Sequence, residues 1–233
     1  MTFFQPPAPR AVLTTDVIAA IVDATRLGPI FVMGRSDRTP AGPTVIDEPI
    51  TAEVIEACRR GDRGALDEVF RAHAGSLERL LARLVGPGAD VEDLLQDTFA
   101  AAIDAFPRFR GEASVRAWLH RIAINVAHNH LRRPRHRREV AIEAEPAEAT
   151  SVADRVASRD LAERLYVHLE KIEARKRIAL ILHVVEGCSI AEIAALTGAS
   201  QTATKSRLFW ARRALHAYVR RDPALRAEVG DDV

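Results

Sequence analysis

Apolar residues recur at steps of three and four from residue 51 onward, the period of an α-helix with one buried face. The first such stretch ends at residues 86–88 (Gly-Pro-Gly), a second follows the potential cap Asp90, and a third runs from about Ser114 to Pro134. Their predicted inward residues are Leu66, Val69, Phe70, His73, Leu77, Leu80, Leu81 and Leu84; Val91, Leu94, Leu95, Phe99, Ala102 and Ile103; and Val115, Leu119, Ile122 and Val126. Residues 51–138 are therefore predicted to form one small helical domain.

A second helical domain is predicted over residues 158–219. Within it, Ser189 and Glu192 have the spacing of a capping box, residues 197–199 (Thr-Gly-Ala) suit a tight turn, and Ser200 can cap the next helix. This pattern is typical of a helix-turn-helix. The acidic, weakly periodic residues 139–157 are predicted to form a flexible linker, so the fold class is all-α with two small domains.

The two ends of the chain are predicted to be tails. Residues 1–50 hold seven of the twelve prolines and are expected to be largely irregular. Residues 15–26 carry one apolar helical face, so a short docking helix is one interpretation; an unselected extension is the other, because Met33 is the only internal methionine. Residues 220–233 are assigned to a C-terminal tail.

The composition excludes several classes of protein. Apolar residues make up 48% of the chain, which argues against disorder, and no apolar run approaches the roughly 20 residues of a membrane span. No secretory signal is recognisable, so a cytoplasmic location without membrane insertion is expected. Cys58 and Cys188 lack a metal-ligand spacing, and no phosphate loop or nucleophile elbow occurs. We therefore expect no metal, no cofactor and no enzymatic activity.

The net charge of +1 conceals blocks of opposite sign. Residues 106–138 hold nine arginines against one acid, and residues 198–221 hold six Lys or Arg and no acid, whereas residues 85–107 hold five acids and no base. Two basic helical blocks are the electrostatic pattern expected of a protein that contacts nucleic acid at two places.

The two basic blocks predict different contacts. The helix-turn-helix should place Gln201, Thr202, Thr204, Lys205 and Arg207 in a duplex major groove, with Trp210, Arg212 and Arg213 nearer the DNA backbone. In the first block, aromatic residues alternate with arginines around residues 106–118, a combination that suits unstacked bases. The polar side of the following helix could track a single strand through Arg121, Asn125, His128 and Arg132.

Six motifs resemble the extracytoplasmic-function (ECF) sigma factors of bacterial RNA polymerase. They are residues 93–99 (DLLQDTF), 109–114 (FRGEAS), 118–125 (WLHRIAIN), 192–194 (EIA), 205–208 (KSRL) and 211–215 (ARRAL). The resemblance spans about residues 53–217 and implies a sigma factor that binds core polymerase, recognises minus-ten and minus-thirty-five promoter elements and initiates transcription. It departs from the family pattern at Leu169-Glu170, where Leu-Pro is usual, and at residues 201–204, where Glu-Gly-Thr-Val is usual.

The resemblance also assigns roles to individual residues. Polymerase binding falls to Asp93, Gln96 and Asp97. Minus-ten contacts fall to Arg110, Glu112, Ser114, Trp118, Asn125, Asn129, Arg132 and Arg133, joined by Arg121 from the polar face. Minus-thirty-five contacts fall to Ser200, Gln201, Thr204, Lys205, Arg207 and Arg212, joined by Thr202. The implied partners are core RNA polymerase and promoter DNA, both duplex and single-stranded, with an anti-sigma factor left open. A stand-alone helix-turn-helix regulator of duplex DNA is the alternative function.

Overall fold

The structure, a computed structural model, describes residues 50–86, 89–133 and 152–229. Throughout these ranges every regular element is helical, as the sequence predicted. The described residues fall into two compact units, the first formed by residues 50–85 and 89–133 and the second by Gly86 and residues 152–229. The predicted N-terminal helix over residues 15–26 and most of the predicted linker lie outside the described residues.

The first unit consists of four helices whose ends follow local side-chain chemistry. They are α1 (Ala52–Arg59), α2 (Arg63–Val85), α3 (Val91–Ala105) and α4 (Val115–Arg132), with a 3₁₀ turn at Phe106–Arg108. Asp90 caps α3 by accepting a hydrogen bond from the backbone N–H of Asp93 at 3.1 Å. Ser114 likewise caps α4 by accepting from Ala117 at 3.2 Å. Each cap satisfies a backbone donor that the helix itself leaves without a partner.

The core of the first unit forms where α2, α3 and α4 pack against one another. All eight inward residues predicted on α2 are buried, and Phe70 stacks on Phe99 of α3 with ring centroids 4.3 Å apart. Ile103 was wrongly predicted to face inward and is 45% exposed, because it lies beyond the edge of the buried stripe of α3. On α4, Ile122 and Val126 are only half-buried. The stripe there passes instead through Ala123, Ile124 and Ala127, two of them alanines that give a weak hydrophobic signal.

The second unit consists of five helices. They are α5 (Val152–Leu169), α6 (Ala174–Val184), α7 (Ile190–Thr197), α8 (Gln201–Val219) and α9 (Pro223–Val229). Its core includes residues 178–182 of α6, all of them buried, and the buried Leu208 and Leu215 of α8, the helix against which α6 packs. Helix α5 begins inside the segment that was predicted as linker.

The predicted C-terminal tail contains helix α9. Asp222 caps this helix, because its carboxylate accepts hydrogen bonds from the backbone N–H groups of Ala224 at 3.1 Å and Leu225 at 3.3 Å. Pro223 at the first helical position has a backbone angle already suited to a helix. Leu225 is fully buried, and the Asp222 carboxylate also lies 3.1 Å from Nε2 of His168 on α5. The tail assignment was therefore wrong for residues 223–229, which belong to the second unit.

The predicted helix-turn-helix is formed by α7 and α8. The Ser189 hydroxyl accepts from the Glu192 backbone N–H at 3.2 Å, and the Glu192 carboxylate accepts from that of Ser189 at 2.7 Å, which confirms the capping box. Gly198 ends α7 with φ +62°, a left-handed conformation that glycine adopts without steric cost. Ser200 then caps α8 by accepting from Ala203 at 3.1 Å.

Candidate nucleic-acid interface

Helix α3 presents one acidic face to solvent. Asp93, Gln96 and Asp97, the three residues assigned to polymerase binding, are all exposed on the same side of the helix. Leu94, Leu95 and Ala102 on the other side are buried in the core of the first unit. The acidic side chains are therefore held on a helix whose opposite face is fixed by packing, and a basic partner surface can reach them directly.

An aromatic cluster supports the loop between α3 and α4. The Trp118 ring packs 4.6 Å from Phe106 and 4.8 Å from Phe109, measured between centroids, and both phenylalanines are buried. Trp118 itself is half-buried, so the residue is partly accessible to solvent while its ring contacts stabilise the loop. Of the assigned loop residues, Arg110 and Glu112 are exposed and lie 4.0 Å from each other.

Helix α4 presents a polar face without any carboxylate. Arg121, Asn125, Asn129 and Arg132 are exposed and follow each other at steps of four, four and three, which places them along one side of the helix. His128 lies between them but is half-buried. Arg133 is exposed immediately after the end of the helix. These cations and amides can bind phosphates and base edges in succession along a strand.

On α8, the structure separates the assigned minus-thirty-five residues into two groups. Gln201, Thr202 and Lys205 are exposed, as is the cap Ser200, and Arg207 is half-buried. Thr204 and Arg212 do not lie on this surface, since their side chains are 0% and 9% exposed.

Helical spacing explains why Thr204 is buried. It belongs to the inward stripe with Leu208, Ala211 and Leu215, at steps of four, three and four. Its hydroxyl donates to the Ser200 carbonyl at 3.1 Å, so the polar atom is satisfied inside the unit. The sequence correctly predicts that Leu208, Ala211 and Leu215 pack inward, but the prediction of a groove-facing Thr204 followed the chemistry of the hydroxyl and did not extend the stripe to this residue.

Arg212 lies at the edge of the same inward stripe, and its Nε is buried with no hydrogen-bond partner among the described residues. Burial lowers the pKa of the Arg212 guanidinium. The pKa of nearby His183 is lowered by burial and, to a lesser extent, by the charge of Arg212, although a hydrogen bond between its Nδ1 and the Cys188 carbonyl at 2.9 Å opposes the shift. Arg212 is therefore largely enclosed by the second unit and is not part of the exposed surface that carries Gln201, Thr202 and Lys205.

Trp210 and Arg213 form a second exposed feature on α8. Trp210 is 50% exposed, and the Arg213 guanidinium lies 5.7 Å from the centroid of its ring. Both residues lie on the side of α8 opposite the buried stripe. The sequence predicted that both lie near the DNA backbone without counting them among the contact residues, and the structure shows that both are exposed.

Both cysteines are poorly suited to chemistry. Burial, with smaller contributions from nearby carboxylates, raises the pKa of the Cys58 and Cys188 thiols to about 11, so neither forms an appreciable thiolate at neutral pH. Among the described residues, no group of three or more His, Cys, Asp or Glu side chains is placed to hold a metal ion. Nor is any helix in the described ranges both long and apolar enough to cross a membrane.

Comparison with known proteins assigns the chain to a family. The family model of Sigma-70 region 2 matches residues 69–138, and the family model of Sigma-70 region 4 matches residues 162–215. The ECF RNA polymerase sigma factor SigM of Mycobacterium tuberculosis H37Rv is 34% identical over 164 residues, which cover 70% of this chain and 82% of SigM. The chain belongs to the ECF sigma factors. The ECF sigma-E factor of Escherichia coli K12 is 31% identical to this sigma factor over 182 residues, covering 73% of this chain and 95% of the relative.

One solved structure agrees with this assignment. CnrH, in complex with the cytosolic domain of CnrY, is similar to this sigma factor with a TM-score of 0.50 and 27% sequence identity, over 73% of this chain and 97% of CnrH. The region 2 match contains α3 and α4 with their loop, and the region 4 match contains α7 and most of α8. This sigma factor is a DNA-binding subunit that directs RNA polymerase to promoters and initiates transcription.

Proposed function

We propose that this sigma factor distributes its contacts over three surfaces: α3 for core polymerase, the loop and α4 for the unpaired minus-ten strand, and α8 for the minus-thirty-five duplex. The observation that carries this division is the sorting of charge by helix. Helix α3 has four carboxylates and no Lys or Arg, whereas α4 and α8 have no carboxylate at all. Each helix therefore favours a partner of opposite charge.

The acidic face of α3 supports polymerase docking through Asp93, Gln96 and Asp97. These side chains are exposed, while the caps and the buried face hold the backbone beneath them. A basic partner can thus bind without any rearrangement of the first unit. Charged groups at an interface of this kind raise the association rate and fix the register of docking.

The loop after the 3₁₀ turn and the polar face of α4 support single-strand binding. Exposed Arg121, Asn125, Asn129 and Arg132 repeat along the helix, and Arg110 and Glu112 lie exposed on the loop at its start. An unstacked base needs polar and planar partners that recover part of the few kcal/mol lost on unpairing. The exposed part of Trp118 offers a planar surface, although its packing on Phe106 and Phe109 also makes it a structural support.

Helix α8 supports binding in the major groove. Its capped first turns carry Gln201, Thr202 and Lys205 on the surface. At a rise of 1.5 Å per residue, Trp210 lies about 13 Å from Gln201 along the helix axis, a distance close to the roughly 12 Å width of the groove. Trp210 and Arg213 would therefore meet the sugar-phosphate backbone at the groove edge, where the indole N–H and the guanidinium can both donate to phosphate oxygens.

The remaining assignments concern the setting of the protein. We infer that it acts in the cytoplasm, where its template and polymerase are found, and that it performs no bond chemistry itself. We also propose that an anti-sigma factor binds it. That proposal is supported by the similarity to CnrH, which was solved with the cytosolic domain of a second protein, CnrY.

Run-off transcription with core polymerase, in the presence and absence of this protein, tests the proposed function. Promoter-dependent transcripts are expected only in its presence. Absence of such transcripts, together with tight duplex binding by the protein alone, would instead indicate a stand-alone regulator. That alternative leaves the acidic face of α3 and the region 2 match without a role.

Charge reversal tests the polymerase-binding surface. Asp93→Lys and Asp97→Lys should each weaken association with core polymerase at least tenfold, because an attractive contact becomes a repulsive one. Glu68→Lys on the exposed side of α2 changes the net charge equally and serves as the control. Association is measured by fluorescence anisotropy with labelled sigma factor. Equal effects of all three substitutions would show that only net charge matters and that α3 is not the docking surface.

A further inference from the structure

Arg59, the last residue of α1, connects that helix to the loop proposed to bind the minus-ten strand. One of its terminal guanidinium nitrogens donates a hydrogen bond to the backbone carbonyl of Phe109, a residue 50 positions further along the chain. Phe109 follows the 3₁₀ turn, and the next residues form the loop that carries Arg110 and Glu112. The contact therefore fixes the point at which this loop leaves the packed core.

The guanidinium of Arg59 is itself held in place. Its other terminal nitrogen donates to the Glu56 carboxylate one turn earlier on α1, at 3.1 Å. Its Nε is buried and has no hydrogen-bond partner within the described ranges, and the side chain is one-third exposed. Glu56 thus orients a partly desolvated cation whose charge strengthens the hydrogen bond to the Phe109 carbonyl.

The loop has weaker constraints beyond Phe109. Gly111 has φ +76°, and a Cβ placed there would meet no atom within 4 Å among the described residues, so the backbone is not confined by packing at this point. The pair of Arg110 and Glu112 is highly exposed, and such pairs contribute little to the stability of a conformation. The position of the loop consequently depends on how its first residue is held.

We propose that Arg59 is a positioning residue for the minus-ten surface. It holds the Phe109 carbonyl so that the loop is ordered before DNA binds, and less conformational entropy is lost when an unpaired base is captured. Arg59 acts through the loop and touches no DNA. This inference rests on the proposed function of the loop and extends it to a residue of α1 that precedes the region 2 match.

Arg59→Ala and Arg60→Ala form a matched pair that tests the proposal. Arg60 is the next residue, carries the same charge and lies 3.8 Å from the same Glu56 carboxylate, but its side chain is two-thirds exposed. The probe is a labelled single-stranded oligonucleotide from the non-template strand of a promoter that the holoenzyme transcribes, and its affinity for the holoenzyme is measured. Arg59→Ala should weaken binding about tenfold, the typical effect of losing a hydrogen bond to a charged group, and Arg60→Ala less than twofold.

Three further measurements keep the result interpretable. Affinity for core polymerase should be the same for both variants, and the rate of promoter opening should fall only in Arg59→Ala. The thermal melting temperature of Arg59→Ala should fall by a few degrees, because a hydrogen bond of the folded first unit is lost. Arg59→Lys, which retains one charged donor, should recover part of the lost single-strand affinity. If the melting temperature of Arg59→Ala is too low for a comparison at the assay temperature, Arg59→Lys and Arg59→Gln are compared at a temperature where both are folded. Single-strand affinity equal to that of the wild type in both variants would overturn the proposal.

Failure of the inference is distinguishable from failure of the proposed function. Normal single-strand binding by the wild type with no difference between Arg59→Ala and Arg60→Ala would overturn the role of Arg59 alone. A wild-type holoenzyme that does not bind the oligonucleotide would overturn the minus-ten assignment of the loop, and this inference with it.

Discussion

The cations of α8 differ in exposure, and this difference predicts how each affects the salt dependence of promoter binding. Lys205 and Arg213 are exposed, whereas Arg212 is 9% exposed. A cation that neutralises a phosphate releases a condensed counterion, so its loss reduces the slope of the logarithm of affinity against the logarithm of salt concentration. The double variant Lys205→Ala/Arg213→Ala should show this loss, and Arg212→Met should not.

The magnitude follows from the number of contacts removed. One phosphate contact contributes about 0.9 to the slope, so raising the salt from about 50 to about 200 mM weakens binding about 3.5-fold per contact. Two contacts give a factor of about 12. The affinity advantage of the wild type over the double variant should therefore shrink about twelvefold across this salt range. In Arg212→Met, an apolar side chain of similar length replaces a buried charge, so stability should be retained or increased.

The assay is fluorescence anisotropy of labelled promoter DNA titrated with holoenzyme over a salt series. Arg175→Ala removes an exposed arginine from α6 and serves as the control for a general change in net charge. The reasoning is refuted if Arg212→Met flattens the salt dependence as much as Lys205→Ala alone. That result would mean that the Arg212 guanidinium reaches a phosphate despite its burial.

Three further predictions concern stability. Phe70→Ala removes a buried ring stacked on Phe99 and should lower the free energy of unfolding by about 3 to 5 kcal/mol, measured by urea denaturation. Ser189→Ala breaks the capping box of α7 and should cost about 1 kcal/mol in the same assay, with little change in the far-UV circular dichroism spectrum. Burial raises the pKa of Asp222, but hydrogen bonds from His168 and two backbone N–H groups outweigh it and lower the pKa overall. The stabilising contribution of Asp222 is therefore complete above the unfolded pKa of about 3.9 and is lost as the pH falls through the lower folded pKa. Asp222→Asn should reduce stability at neutral pH and make the loss of stability in acid less steep. Melting temperatures measured across a pH series test this prediction.

Local signals predicted most of the fold. The buried stripe of α2 follows from strongly apolar residues at helical spacing, and the caps at Asp90, Ser114, Ser189 and Ser200 follow from side chains that can accept from the next turn. These features depend on neighbours within one or two turns. They are therefore readable from the chain itself.

The errors arise where packing overrides residue type. Thr204 and Arg212 have the chemistry of DNA-binding residues, but their helical positions place them at the interior of the second unit. Helix α9 lies in a segment too short for a clear periodic pattern, and burial of Leu225 together with the cap by Asp222 stabilises it. The contact between Arg59 and Phe109 joins residues far apart in the chain, so no local pattern indicates it.

The acidic and basic surfaces of the first unit share one core, since α3 and α4 pack directly against each other. Under the proposed function, polymerase docking and strand capture would be coupled through the layer of side chains buried between α3 and α4. A substitution in that layer could shift α4 relative to α3. The captured strand would then move with respect to core polymerase, although no residue that touches either partner is altered. Defects in promoter opening with normal polymerase affinity and normal duplex binding should accordingly map to buried positions such as Leu95 and Leu119, as well as to the DNA-facing surface.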